Sequence, residues 1–313
     1  MASTQSEANR NHYAAIAANA GKLTSPQAIV DFNDTHWTAL TGEPGGVDYI
    51  EVDAGGVPAM WIVPKDADEQ RVLFYAHGGG FVGGSIYTHR KLVGHLAKAV
   101  GCRALLYDYP LAHQAKHPAQ LEAAMVAWNW LTDRGFDTRY LALAGDSCGA
   151  MLTYGVLKRL RAEGRPLPVA TLIISGWFDM ALTGASYETN REKDPAFAKE
   201  AVDWLVTNFI GDRDRLDPEV SALYADLTGF PPVFLQAGAD ETLADESRMF
   251  AECARQAGVE TRLDVFEGML HSFQMMAGRA PEADDAIGRF ATWVRPKLGL
   301  PATRDEVAGD RAA

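Results

Sequence analysis

LALAGDSCGAML, residues 141–152, joins an apolar run to a helical one through a serine flanked by two glycines. Residues 141–144 read as a buried strand, and AMLTYGVLKRL, from 150 to 160, repeats its apolar positions at helical spacing. A chain that turns from strand to helix within so few residues crowds its own backbone, so the positions two before and two after the apex must be small. Gly145, Ser147 and Gly149 meet that requirement. The turn puts the Ser147 hydroxyl beyond the carboxyl end of a strand, where open α/β sheets bind ligands. Cys148 is the neighbouring nucleophile, but the pattern centres on Ser147, and Cys148 falls in the first helical turn with its backbone N–H at the positive end of the helix.

The same alternation runs through most of the chain. VDYIEVDAG (47–55) and VPAMWIVP (57–64) predict an antiparallel hairpin. Strands follow at 71–78, 102–109, 140–147, 168–177, 231–240 and 260–268, with helices near 88–100, 118–134, 149–163, 244–257 and 282–298. Continuous apolar strands separated by helices predict a mainly parallel sheet covered on both faces, an α/β fold. Residues 1–45 read as helices without strands, and residues 181–225 interrupt the strand rhythm with DPAFAKEAVDWLVTNFI. An insertion after a strand end is placed to cover the site as a lid. The domain reading is therefore cap helices at 1–45, a catalytic domain at 46–180 and 226–300, a cap insertion at 181–225 and a polar tail at 301–313.

Composition narrows the partners. The 313 residues are 47% hydrophobic, enough for a substantial core, and 29 Lys and Arg against 41 Asp and Glu leave a net charge of −12. Nucleic acid and anionic membranes both need a basic face, so the expected partner is a small molecule. The opening residues lack a cationic start followed by an apolar run, and no stretch approaches the length of a membrane span, which places the chain in the cytoplasm. Cys102, Cys148 and Cys253 are too few and too scattered for a metal or disulfide framework. His113 and His117 share a helical spacing without a third ligand, so no metal is expected.

A serine hydroxyl needs a base and a group to stabilise developing negative charge. HGGG, residues 77–80, follows a strand and offers backbone N–H groups of Gly79 and Gly80, with the N–H of Cys148 as a further donor; His77 shapes the loop. The rival reading, a phosphate cradle, lacks both GxxxxGK[ST] and GxGxxG. His271, just after the last strand, is the candidate base, and Asp240, at the end of the preceding one, the candidate acid, with Asp245 as its competitor. Trp37, Tyr87, Trp177, Phe197, Trp204 and Phe209 are candidates to line the pocket, each with core packing as the alternative.

These residues resemble the hormone-sensitive-lipase-like family of α/β-hydrolases, bacterial esterase family IV. HGGG at 77–80 matches its oxyanion loop, GDSCG at 145–149 its GDSAG elbow, and SGWFDM, QAGADETLADES and FEGMLHSFQMM its later motifs. The resemblance implies an eight-stranded sheet with a helical cap, hydrolysis of short- to medium-chain carboxylic esters through a serine acyl-enzyme, and no cofactor. By position it implies Ser147 as nucleophile, His271 as base, Asp240 as acid, and Gly79, Gly80 and Cys148 as oxyanion donors. Relatives that pair through the sheet edge make a homodimer compatible with it. A lactone hydrolase or amide deacetylase would use the same triad, and a non-catalytic receptor on this scaffold would lack the histidine that is present here. Two departures stand out. YPLAHQAKHP (109–118) lacks the family's bracing arginine and glutamate, and Cys148 replaces alanine, which is expected to narrow the site or open it to thiol reagents.

Overall fold

A computed structural model describes residues 2–302; the predicted tail lies outside the described residues from position 303 onward. The eight strands are β1 (Val47–Asp53), β2 (Pro58–Pro64), β3 (Asp68–Ala76), β4 (Cys102–Tyr107), β5 (Leu141–Asp146), β6 (Ala170–Ile174), β7 (Val233–Gly238) and β8 (Thr261–Phe266). They form one sheet in the order β1-β2-β4-β3-β5-β6-β7-β8. Only β2 runs antiparallel to its neighbours; β3 pairs with β4 and β5 in parallel, and the parallel run continues to β8. The predicted hairpin and parallel sheet are both present, and the strand ends fall within a few residues of those read from the sequence.

Helices α3 (Ile86–Val100), α4 (Ala119–Asp133), α5 (Gly149–Ala162) and α8 (Ala244–Gln256) lie in crossovers between strands, and α9 (Pro281–Val294) follows the last strand. They divide the interior into two cores, one around Phe74, Trp128, Leu143 and Leu157, the other around Tyr75, Leu106, Phe234 and Phe290. Central strand β5 is buried along its whole length, as its continuous apolar run requires. Helices α1 (Glu7–Ala20) and α2 (Pro26–Leu40), with α6 (Ser186–Thr189) and α7 (Lys199–Ile210), add no strand to the sheet. They meet over its carboxyl edge, where Tyr13 of α1 packs edge-on against Phe197, ring centroids 5.4 Å apart.

The loop lacking the family's arginine and glutamate is braced differently. The Gln114 side chain accepts from Leu111 N (2.8 Å), and Gln120 donates to the carbonyls of Pro110 (2.8 Å) and Ala115 (2.6 Å). The turn after β6 hangs on α8. The buried Glu246 carboxyl accepts the N–H groups of Phe178 and Asp179, both at 2.7 Å, and the Tyr187 hydroxyl at 2.7 Å. Burial pushes that carboxyl up to about 8, against the lowering effect of these hydrogen bonds. The folded chain therefore binds a proton there that the unfolded chain has lost above its ordinary value of 4.5, so this contribution to stability is complete below pH 4.5 and disappears as pH rises through 8. Glu246→Gln keeps the shape and an oxygen that accepts the Phe178 and Asp179 N–H groups, without the charge. Chemical denaturation should show it gaining stability over wild type by on the order of a few kcal/mol between pH 5 and pH 9. A pH-independent difference would refute this account.

Candidate active site

Ser147 sits at φ +52°, a left-handed conformation that costs a non-glycine residue about 1 kcal/mol or more. The turn holds it there: Ser147 N–H donates to the Ile174 carbonyl (2.9 Å), and its own carbonyl accepts from Trp177 N–H (3.1 Å). The two glycines are required by contact. A Cβ on Gly145 would stand 2.9 Å from the Gly149 backbone and 3.0 Å from the Ala76 carbonyl, and one on Gly149 would overlap that same carbonyl. The elbow is pressed against the end of β3.

From that strand end the glycine loop runs back over the elbow. Asp146 fastens it: one carboxylate oxygen accepts the Gly78 N–H (2.9 Å) and the Tyr75 hydroxyl (3.0 Å), while the other lies 3.3 Å from His89 Nε2. Burial, the largest single influence, pushes this carboxyl up; His89, Tyr75 and His77 together outweigh it and hold it below its ordinary value. His77 stacks on Tyr109 (4.2 Å between centroids), with Nδ1 2.8 Å from the Gly78 carbonyl and Nε2 3.4 Å from Asp108, in line with a loop-shaping part. Gly79 and Gly80 have φ of +119° and +61°, and a Cβ on Gly80 would meet Leu205 of α7 at 2.9 Å.

His271 follows β8 and is buried. Its Nδ1 lies 3.3 Å from a carboxylate oxygen of Glu241, which is fully buried. The N–H is not aimed well at that oxygen, so the contact is an ion-pair approach and not yet a formed hydrogen bond, a looseness common in unliganded sites. The acid read from the sequence, Asp240, is turned elsewhere. Its carboxylate takes Arg10 of α1 (3.1 Å) and Lys193 (3.0 Å). The competitor Asp245 is bound to Arg248 and to the backbone of Ser186. The carboxylate beside His271 is thus that of Glu241, one residue on from the position given by the strand-end rule, because cations distant in sequence claim Asp240. Burial, the largest influence on His271, lowers its affinity for protons; the adjacent Glu241, with the charges of Asp194 and Asp146, outweighs it and holds the imidazole above its ordinary value.

Ser147, His271, Gly79 and Gly80 open onto one cavity of about 500 Å³. Of the predicted aromatics, Trp37, Phe197 and Trp204 line it, Trp204 half-exposed at its mouth. Tyr87, Trp177 and Phe209 do not. Tyr87 is exposed, its hydroxyl donating to Glu51. Trp177 and Phe209 are buried in the core, Phe209 stacked on Phe81 at 3.8 Å. The lining not read from the sequence is mostly aliphatic, with Leu23, Ile29 and Leu205 among it, plus Phe32, His89 and Asn33.

Cys148 is wholly buried with its sulfur 3.6 Å from the Tyr109 hydroxyl, and burial pushes its thiol up to about 12. Of the two effects expected of this replacement, openness to thiol reagents does not fit its burial. Cys102 is buried and Cys253 partly exposed.

The described residues 73–275 match the model of a family with the α/β-hydrolase fold. An esterase of Acinetobacter venetianus is 33% identical over 74% of this chain and 77% of its own length, and an acetyl-hydrolase of Streptomyces hygroscopicus 32% identical over 82% and 84%. The crystal structure of an esterase from the bacterial hormone-sensitive lipase family superposes with a TM-score of 0.90 at 35% identity, covering 96% of this chain and all of that one. The chain belongs to the hormone-sensitive-lipase-like esterases of the α/β-hydrolase fold, a class of serine ester hydrolases.

In the native protein, iodoacetamide at pH 8 should label Cys253 at most. Mass spectrometry finding modified Cys148 before unfolding would contradict its burial.

Proposed function

We propose that the chain hydrolyses neutral carboxylic esters of short to medium acyl length, with Ser147 as nucleophile, His271 as base and Glu241 as acid. The observation that carries this reading is the buried His271, paired with Glu241 and opening onto the same cavity as the strained Ser147. His271 takes the Ser147 proton as the hydroxyl attacks the carbonyl carbon, Glu241 stabilises the imidazolium, and the N–H groups of Gly79, Gly80 and Cys148 receive the oxyanion. The tetrahedral adduct expels the alcohol, which leaves with the proton from His271; water then repeats the sequence on the acyl-enzyme.

Substrate class follows from the walls. Among the described residues no lysine or arginine lines the cavity, so nothing there would receive a substrate carboxylate or phosphate, while its aliphatic and aromatic sides suit an acyl chain. Residues 1–45 and 181–225 form the cap in this reading, and 46–180 with 226–300 the catalytic unit. No described helix is long and apolar enough to cross a membrane, and three unpaired cysteines suit a reducing cytoplasm. A homodimer would use the partly exposed edge strand β8.

Hydrolysis of p-nitrophenyl esters from acetate to laurate tests this directly. Ser147→Ala should abolish turnover, Cys148→Ala should retain it, and Glu241→Gln should lower kcat by roughly a thousandfold or more. Asp240→Asn should retain kcat within about tenfold; the reverse ranking of the two acids would restore Asp240 to the triad. Trp204→Ala should shift the preferred chain length, and an unchanged profile would remove Trp204 from the acyl pocket.

A further inference from the structure

We infer that Asp194, supplied by the segment between α6 and α7, is a second carboxyl group serving His271, a positioning residue that supports the imidazolium alongside Glu241. The inference rests on the ester-hydrolase reading above. Asp194 is fully buried. One of its carboxylate oxygens accepts the N–H of Thr242, the residue after Glu241, at 3.1 Å; the other is buried without a partner. Nearby, the Asn190 side chain donates to the carbonyls of Ala239 (2.9 Å) and Glu241 (2.8 Å). Residues 190–194 are thus stitched to residues 239–242, and the stitching brings a buried carboxylate against the turn that carries Glu241.

A buried carboxylate with an unpartnered oxygen is unfavourable unless a positive charge stands near it. The adjacent cations are committed: Lys193 and Arg10 both pair with Asp240. The titratable groups that act on Asp194 are His271 and Glu241, with the uncharged phenol of Tyr13 beside them. Tyr13 also donates its hydroxyl to the His271 carbonyl, and Phe197 packs on the imidazole at 4.5 Å between centroids, so the base is enclosed by cap residues on this side. Burial pushes the Asp194 carboxyl up to about 6, His271 opposing that rise. Above that pH it is ionised while His271 awaits the serine proton. When the proton arrives on the imidazole, the charge of Asp194 adds to that of the adjacent Glu241; no proton passes to either.

The experiment is the pH dependence of kcat/KM for p-nitrophenyl butyrate in wild type, Asp194→Asn, Glu241→Gln and the double variant, with folding checked by circular dichroism. The amide of Asp194→Asn fills the same space and keeps an acceptor for Thr242. The acid limb, which reports the base of the free enzyme, should move to lower pH by about 0.5 to 1 unit. At the optimum kcat should fall about three- to thirtyfold with KM little changed, and the double variant should fall below Glu241→Gln. Asp194→Ser reads the same limb if the amide disturbs the loop. An acid limb that stays in place in folded Asp194 variants, with Glu241→Gln strongly impaired, overturns the role of Asp194 alone. Wild-type activity in Glu241→Gln overturns the triad beneath it.

Discussion

The backbone contact between the end of β3 and the first turn of α5 governs this structure. Gly149 and Gly145 lie so close to the Ala76 carbonyl that no side chain fits between them, and this closeness forces Ser147 into its left-handed conformation at the apex. The same approach brings the glycine loop after β3 over the elbow, because that loop starts where the contact ends. Asp146 then ties loop and elbow together through Gly78 and Tyr75. Ser147 and the glycine loop are thereby parts of one rigid piece, preorganised before any substrate enters.

The other half of the site is assembled differently. His271 and Glu241 come from two loops after β8 and β7, and neighbouring strands alone do not fix their separation. Side chains from helices far off in the sequence do that. Arg10 and Lys193 hold Asp240, Asn190 holds the backbone on both sides of it, and Tyr13 holds the carbonyl of His271 itself.

This difference explains what the sequence disclosed. The elbow, the glycine loop, the alternation of strands and helices and the location of His271 depend on local patterns: apolar runs, glycine spacing and chain order. They were legible. The choice between Asp240 and Glu241 depends on which of two adjacent carboxylates meets a cation from residue 10 and which turns inward, and no local pattern records that. One signal was available: an arginine in the first helix and a lysine in the insertion are cations in segments read as covering the site, and they needed an anionic partner near it. Two of the pocket aromatics miss the cavity for a related reason. Trp177 and Phe209 sit in segments next to the cavity, but their rings point into the core, where Phe209 stacks on Phe81. Trp204, two residues from buried Val202 and Val206 and therefore on another face of α7, instead faces the cavity mouth.

Because α1 and the 190–194 segment hold the acid and histidine loops by hydrogen bonds and ion pairs, the cap is not an interchangeable cover. A relative's cap grafted onto this sheet would bring its own contacts to residues 239–242 and 271, while the serine half would pass through unchanged. Substrate range and basicity at the reaction centre are therefore inherited together. Along this lineage, a change in the covering helices that admits a new ester also retunes the base that must cleave it.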